Sequence, residues 1–180
     1  MHKYLILIVL LSLISANAAA QEAPLAPDWT LQNINGDEIV LSEIVPGKTT
    51  VLLFWASWCP YCKALMPHLQ SMKLEYGDDL QIVAINFRDK GDPVAYVEEQ
   101  GFDFEQLLKG EAVAEQYGLW GTPGLLVIDE NQKVLFDLRQ IQTAPAPADK
   151  DASHRRKAAY RAPYWAAETR KAIDAARNSG

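Results

Sequence analysis

The sequence predicts an α/β domain built on a central mixed sheet flanked by helices, and three observations carry that prediction. Thr49 to Trp55 (TTVLLFW) is a continuous run of β-branched, aliphatic and aromatic residues, which suits a strand buried on both faces. Leu80 to Phe87 (LQIVAINF) is a second such run, and between the two lies a stretch with apolar residues at helical spacing. Strands alternating with helices imply a parallel core, to which a closing hairpin adds antiparallel strands.

Each element has a local reason. Residues 21 to 28 (QEAPLAPD) are a Pro-punctuated lead-in without periodicity. Trp29 to Ile34 and Glu38 to Leu41 flank Asn35-Gly36, which reads as an N-terminal hairpin because Asn-Gly supplies the positive φ angles of a tight turn. Ser42 and Glu43 suggest a short helical turn, ended by Pro46-Gly47. Thr49 to Trp55 is the candidate central strand. Cys59 to Glu75 then places Cys62, Leu65, Met66, Leu69 and Met72 on one helical face, with Pro67 as a kink and Gly77 as the stop. After the second strand, Asp92 to Gln100 reads as a helix, Phe104 to Leu108 as a short strand and Glu111 to Tyr117 as another helix. Gly124 to Asp129 and Lys133 to Leu138 form the closing hairpin around Glu130-Asn131-Gln132.

The length of 180 residues fits one ordinary domain and a little more. Hydrophobic residues at 49% and charged residues at 22% are globular values that argue against disorder or a polytopic membrane protein. A net charge of −6 removes the main electrostatic route to nucleic acid, so none is expected as a partner. Residues 1–20 read as a signal peptide: His2 and Lys3, an apolar run from Leu5 to Ile14, then small residues ending at Ala20. The apolar run is short for a bilayer span, so an uncleaved anchor is the lesser alternative and a periplasmic location is expected.

Residues 21–141 are the expected domain, 142–152 a Pro/Ala-rich linker (beginning QTAPAPADK) and 153–180 a basic helical tail. Residues 150 to 180 hold eight Lys or Arg against three Asp or Glu, whereas residues 21 to 149 hold eight against twenty. Tail and body therefore attract. The tail is expected to be helical in two pieces around Pro163 and to dock with Trp165, Thr169, Ile173 and Ala176 on its inner face.

The only cysteines are Cys59 and Cys62. A disulfide closing so small a loop removes little unfolded-state entropy, which makes a purely structural staple a poor explanation. The pair stands where the central strand feeds a helix, and the free N–H groups and dipole of a helix N-terminus stabilise a thiolate, the nucleophile of disulfide exchange. Cys59 is the residue so placed. Pro60 suits the first helical position, since its missing N–H is no loss there. Cys62, one turn on, would face the same end and resolve a mixed disulfide formed at Cys59. Zinc is disfavoured because a structural site wants four ligands, and haem attachment because position 63 is Lys rather than His.

The stretch Phe54-Trp55-Ala56-Ser57-Trp58-Cys59-Pro60-Tyr61-Cys62-Lys63, with Gly121-Thr122-Pro123, resembles the thioredoxin superfamily. The elements from Trp29 to Leu138, including the inserted helix and strand at Asp92 to Leu108, look like its exported TlpA-like branch. The resemblance implies a thioredoxin-like fold, with the C-terminal helix as an addition to it. It implies that Cys59 attacks and Cys62 resolves, and that Pro123, after Thr122, is a cis-proline facing the disulfide and holding a substrate backbone. Trp58, Pro60 and Tyr61 are the supporting residues beside the sulfurs. Two positions depart from the family pattern: Leu53 stands where a buried acid commonly lies behind the resolving cysteine, and Leu65 where some members carry Glu.

Other polar residues carry less. His68 and His154 are read as surface residues, Lys63 as a solvated lysine near a helix start, and Asp89, Asp92, Glu98, Glu99, Asp103 and Glu105 as solvated faces. The expected function is thiol:disulfide oxidoreduction of exported proteins, in the reductive direction, with no bound cofactor and no metal. Its electrons would come from a membrane-embedded donor, and the protein is expected to be a monomer. Cytochrome c maturation is one role within the family, but no residue here selects it. The alternatives are a disulfide-forming oxidant of the same fold and a metal- or partner-binding module. A thiol peroxidase is disfavoured because Ala56 stands three residues before Cys59, where that pattern needs Ser or Thr.

Overall fold

The structure is a computed structural model that describes residues 23–179, so the expected signal segment at 1–20 lies outside the described residues. Strands β1 (Thr30–Gln32) and β2 (Glu38–Val40) pair antiparallel as a separate ribbon, with Leu31 opposite Ile39. Their connection is not the expected two-residue turn. Gly36, at φ +89, donates its N–H to the Asn33 carbonyl at 3.1 Å, and Asn33 Oδ1 accepts the N–H groups of Asn35 and Asp37, both at 2.9 Å. Asn33 thereby organises a longer loop with glycine in the left-handed position.

After the short helix α1 (Leu41–Ile44), the chain enters β3 (Thr49–Trp55), every residue of which is buried. Helix α2 (Pro60–Tyr76) returns it to β4 (Leu80–Asn86), which lies parallel to β3 with Leu53 opposite Ala84. Helix α3 (Pro93–Gln100) leads to the edge strand β5 (Glu105–Leu107), and α4 (Glu111–Gln116) leads to β6 (Gly124–Ile128) and β7 (Val134–Asp137). The five-stranded order is β5-β4-β3-β6-β7, parallel on the β4 side of β3 and antiparallel on the β6 side. This is the mixed sheet that the sequence predicts, with β3 at its centre.

Alternation along β3 divides the core. Val51, Leu53 and Trp55 pack with Cys62, Leu65, Met66, Leu69 and Met72 of α2, whereas Leu52 and Phe54 pack with Trp29, Leu41, Val113 and Tyr117 on the other face. Pro67 lies inside α2 without ending it. An interior proline costs about 3 kcal/mol. Full burial of one Leu or Met side chain contributes about 1.5–3 kcal/mol, so four of them on the inner face outweigh it.

The final helix, α5 (His154–Ser179), is one continuous helix rather than two pieces around Pro163. Pro163 is exposed, as is Ala159, so the carbonyl that loses its helical donor can be met by water. The buried face is Ala158, Ala162, Ala166, Thr169, Ile173 and Ala176; Trp165 is only half-buried. Ala158, Ala162 and Ala166 let α5 approach α2 closely. The two helices run in the same direction, since Tyr61 meets His154 and Trp165, Glu75 meets Arg170, and Asp79 meets Arg177. Within the linker, Pro147 is buried rather than solvated.

Candidate active site

Strand β3 delivers the chain to the end of the sheet at Trp55, and Ala56 to Trp58 form the loop that places Cys59 at the cap of α2. Cys59 has extended backbone angles, φ −81 and ψ 111, so its side chain can turn back over the first helical turn. Its Sγ accepts the Cys62 backbone N–H at 3.2 Å. Pro60 occupies the first helical position, where no donor is missed. Both sulfurs are free, and Cys59, 1% exposed, is nearly as buried as Cys62 at 0%. Cys59 is thus less open to solvent than its position at a helix end suggests.

The two thiols are driven apart in acidity. Hydrogen bonding from the Cys62 thiol lowers Cys59 from 9.0 to about 6, helped by the Thr122 side chain and the N–H groups of Cys62 and Tyr61, which together outweigh desolvation. Burial pushes Cys62 well above its ordinary value, reinforced by the neighbouring Cys59. At neutral pH this separation makes Cys59 the thiolate and leaves Cys62 the thiol.

The Thr122–Pro123 peptide bond is cis and lies at the start of β6, beside β3. Thr122 acts on both cysteines through its side chain. Trp58 is exposed and donates from Nε1 to the Arg88 carbonyl at 3.1 Å. Arg88 in turn donates to the Trp120 carbonyl at 3.1 Å and lies over the exposed Trp120 ring, so it links the two exposed indoles. Tyr61 turns toward α5: its hydroxyl is 3.3 Å from His154 Nδ1, its ring lies 6.0 Å from Trp165, and Arg161 covers it at 5.6 Å.

Leu53 and Leu65 are fully buried, so neither of the positions flagged in the sequence brings a carboxylate to Cys62. The half-buried ring of Tyr96 packs 5.8 Å from Trp55, and burial pushes its hydroxyl up, which keeps a neutral phenol on the Trp55 side of the site. Lys63 is exposed, as expected, and its ammonium lies 4.5 Å above the Tyr96 ring.

Asp89 is likewise no part of a solvated face. Its Oδ2 accepts the Ser57 N–H and the Asn86 side-chain amide, the latter at 2.8 Å; Oδ1 accepts the Ser57 hydroxyl at 2.8 Å and the Gly91 N–H at 2.9 Å. These bonds hold its carboxyl below the ordinary range despite partial burial. Asp92 caps α3 by accepting the Ala95 N–H at 2.9 Å. His68 stays away from the sulfurs, lining instead a groove between α2 and α5 with Pro163 and Arg170. A cleft of about 590 Å³ lined by Thr49, Asp79, Asp129 and Arg177 lies at the opposite end of β3 from Cys59.

Among the described residues, no cluster of three or more His, Cys, Asp or Glu is placed to hold a metal ion, and no helix is long and apolar enough to cross a membrane.

Comparison with known proteins agrees with this geometry. The thioredoxin-like protein YneN of Bacillus subtilis is 30% identical over 114 residues, 61% of this chain and 66% of the relative. The thiol-disulfide oxidoreductase ResA of Halalkalibacterium halodurans is 30% identical over 113 residues, 61% of this chain and 64% of the relative. The match thus spans just under two thirds of each relative's length. A candidate thiol:disulfide interchange protein DsbE from Chlorobium tepidum superposes with a TM-score of 0.59 at 30% identity, covering 65% of this chain and 84% of its own. An uncharacterized conserved protein from Geobacillus kaustophilus superposes at 0.68 and 23% identity, covering 88% of this chain and 82% of its own, and so shares the fold over a longer stretch. The AhpC/TSA family profile matches residues 23–136, and with the mixed sheet, the helix-capping Cys59 and the cis-proline turn it establishes that the chain belongs to the AhpC/TSA family, within the TlpA-like branch of the thioredoxin superfamily.

Proposed function

We propose that the protein is a thiol:disulfide oxidoreductase acting on exported proteins, in the reductive direction. The observation that carries this reading is the pair of free thiols at a helix N-terminus, where Cys59 Sγ accepts the Cys62 N–H at 3.2 Å, and the burial and hydrogen bonds there lower Cys59 to about 6 and raise Cys62. Relatives named thiol-disulfide oxidoreductases support it. The Cys59 thiolate attacks a substrate disulfide, forming a Cys59–substrate bond and releasing the first substrate sulfur as a thiolate. Cys62 then loses its proton to that leaving thiolate or to water, attacks Cys59 Sγ and expels the second sulfur. The substrate gains two electrons and the Cys62 proton, the second thiolate takes its proton from solvent, and the Cys59–Cys62 pair becomes a disulfide. Both reacting groups are supplied by the chain, so the exchange uses no bound cofactor.

Cys59 at about 6 lies nearer the ~7 of thioredoxin than the ~3.5 of DsbA, which supports reduction over oxidation. The composition of residues 1–20 supports export, and an exported reductant needs a donor, for which a membrane-embedded dithiol protein is the class proposed. Equilibration of the purified protein in glutathione or dithiothreitol buffers tests the direction. A Cys59–Cys62 potential near the about −270 mV of thioredoxin is expected, whereas one near the about −120 mV of DsbA would make the protein an oxidant. Insulin reduction by the protein, abolished in Cys59→Ser, tests the activity itself.

A further inference from the structure

The structure places the first turns of α5 beside the reactive pair, and their charge is unlike that of the body. Tyr61, between the two cysteines, carries His154 at its hydroxyl and Arg161 over its ring. Because α2 and α5 run in the same direction, both helix N-termini lie at this end of the molecule and their dipoles add positive potential there. The ion pairs that dock α5, Arg170–Glu75 and Arg177–Asp79, are confined to its other half. At the Cys59 end, α2 has no Asp or Glu before Glu75 and α5 none before Glu168.

The cations there lack matching carboxylates. Arg155 and Arg156 are exposed, and Arg156 makes only a long 3.7 Å contact with the exposed Asp149. Arg161 lies over the Tyr61 ring with its Nε buried and without a hydrogen-bond partner among the described residues, so no carboxylate there offsets its charge. Asp149 and Asp151 precede the helix, yet residues 149 to 161 still hold five Lys or Arg against two Asp. Across the sulfurs, Glu111 accepts the Arg88 backbone N–H, which brings one carboxylate beside that single arginine, whereas the cations cluster on the α5 side. Tyr160, 48% exposed, is the one exposed large hydrophobic residue among the described residues of α5, too little apolar surface for a helix that inserts into lipid.

We propose that the first turns of α5, seated on Tyr61, form a cationic docking ledge that guides a carboxylate-rich segment of a disulfide-bearing polypeptide to Cys59. The ledge rests on the exchange activity proposed above. It would raise the encounter rate for acidic partners in a protein that is otherwise net negative, and its effect would fade with salt.

The test measures two things on the full chain. The first is binding, by fluorescence anisotropy at low salt, of a labelled cysteine-free Asp/Glu peptide against a Lys peptide of equal length. The second is exchange with disulfide peptides bearing the same flanks, with neutral hydroxyethyl disulfide as reference. The expected result is preferred binding of the acidic peptide and exchange about tenfold faster with it than with the Lys peptide, a margin that collapses in high salt. In Arg155→Glu/Arg156→Glu, and independently in Arg161→Gln, that preference should shrink. Equal binding of the two peptides, or a preference unmoved by both variants, overturns the ledge. Stronger retention by phosphatidylglycerol vesicles than by the acidic peptide overturns the choice of polypeptide as partner. Acidic-peptide binding in a protein that exchanges no disulfide, hydroxyethyl disulfide included, supports the ledge and overturns the activity.

Discussion

Asp89 grips Ser57 with both carboxylate oxygens, one on the backbone N–H and one on the hydroxyl, and so ties the loop after β4 to the loop that presents Cys59. Asn86 and the Gly91 N–H complete the site, and a Cβ at Gly91 would overlap Ser57 Oγ. The carboxylate positions Ser57, two residues before Cys59.

Replacing Asp89 with Ala should cost about 1–3 kcal/mol, because it leaves the Ser57 and Asn86 donors unmet. Asp89→Asn should flatten the dependence of stability on acid pH. The folded carboxyl is held below its ordinary value of 3.8, so its contribution is present above that value and is lost as pH falls through the lower folded value. Urea midpoints measured against pH check this: the wild type should lose stability below about pH 4, and the Asn variant should lose less.

Cys59 should alkylate with a midpoint near pH 6, well before Cys62, as followed by iodoacetamide labelling and mass spectrometry. Thr122→Val removes one hydrogen bond to the sulfur and should move that midpoint upward. A midpoint unchanged by the substitution would show that Thr122 does not act on Cys59.

The same acidity ties redox state to stability. Cys59 falls from 9.0 to about 6 on folding, so reduced protein gains stability relative to oxidised protein as pH rises from about 6 to about 9. Above that window the buried Cys62, whose acidity is suppressed in the fold, works in the opposite direction. Denaturant midpoints of the two redox forms should therefore diverge in favour of the reduced form between these pH values.

Ile173 is fully buried between α5 and the sheet, and Ile173→Ala should destabilise the protein by about 2–5 kcal/mol. Tyr61→Phe, which removes only the hydroxyl facing His154, should change stability by no more than about 0.5 kcal/mol. Calorimetric unfolding of the two variants separates a helix that belongs to the core from one that merely rests on it.

The sheet was legible in the sequence because β3 and β4 are buried on both faces and their apolar runs are unbroken. The cysteine pair was legible because its spacing and its place after a strand are local. Nonlocal relations were not legible. Asp89 looked like one acid among several, since only the folded chain brings it to Ser57, 32 residues away. Pro163 suggested a break in the tail, but propensity does not reveal that its free carbonyl faces solvent while Ala162, Ala166 and Ile173 anchor the helix. The contact between His154 and Tyr61 spans 93 residues and leaves no trace in either local pattern.

The central claim is that Cys59 attacks and Cys62 resolves, and trapping tests it most directly. Cys62→Ser protein should be incubated with a disulfide-bonded peptide and its adducts mapped by mass spectrometry, alongside Cys59→Ser. The account predicts a stable mixed disulfide on Cys59 in the first variant and little or none on Cys62 in the second. Equal trapping on Cys62, or no adduct on Cys59, would contradict it.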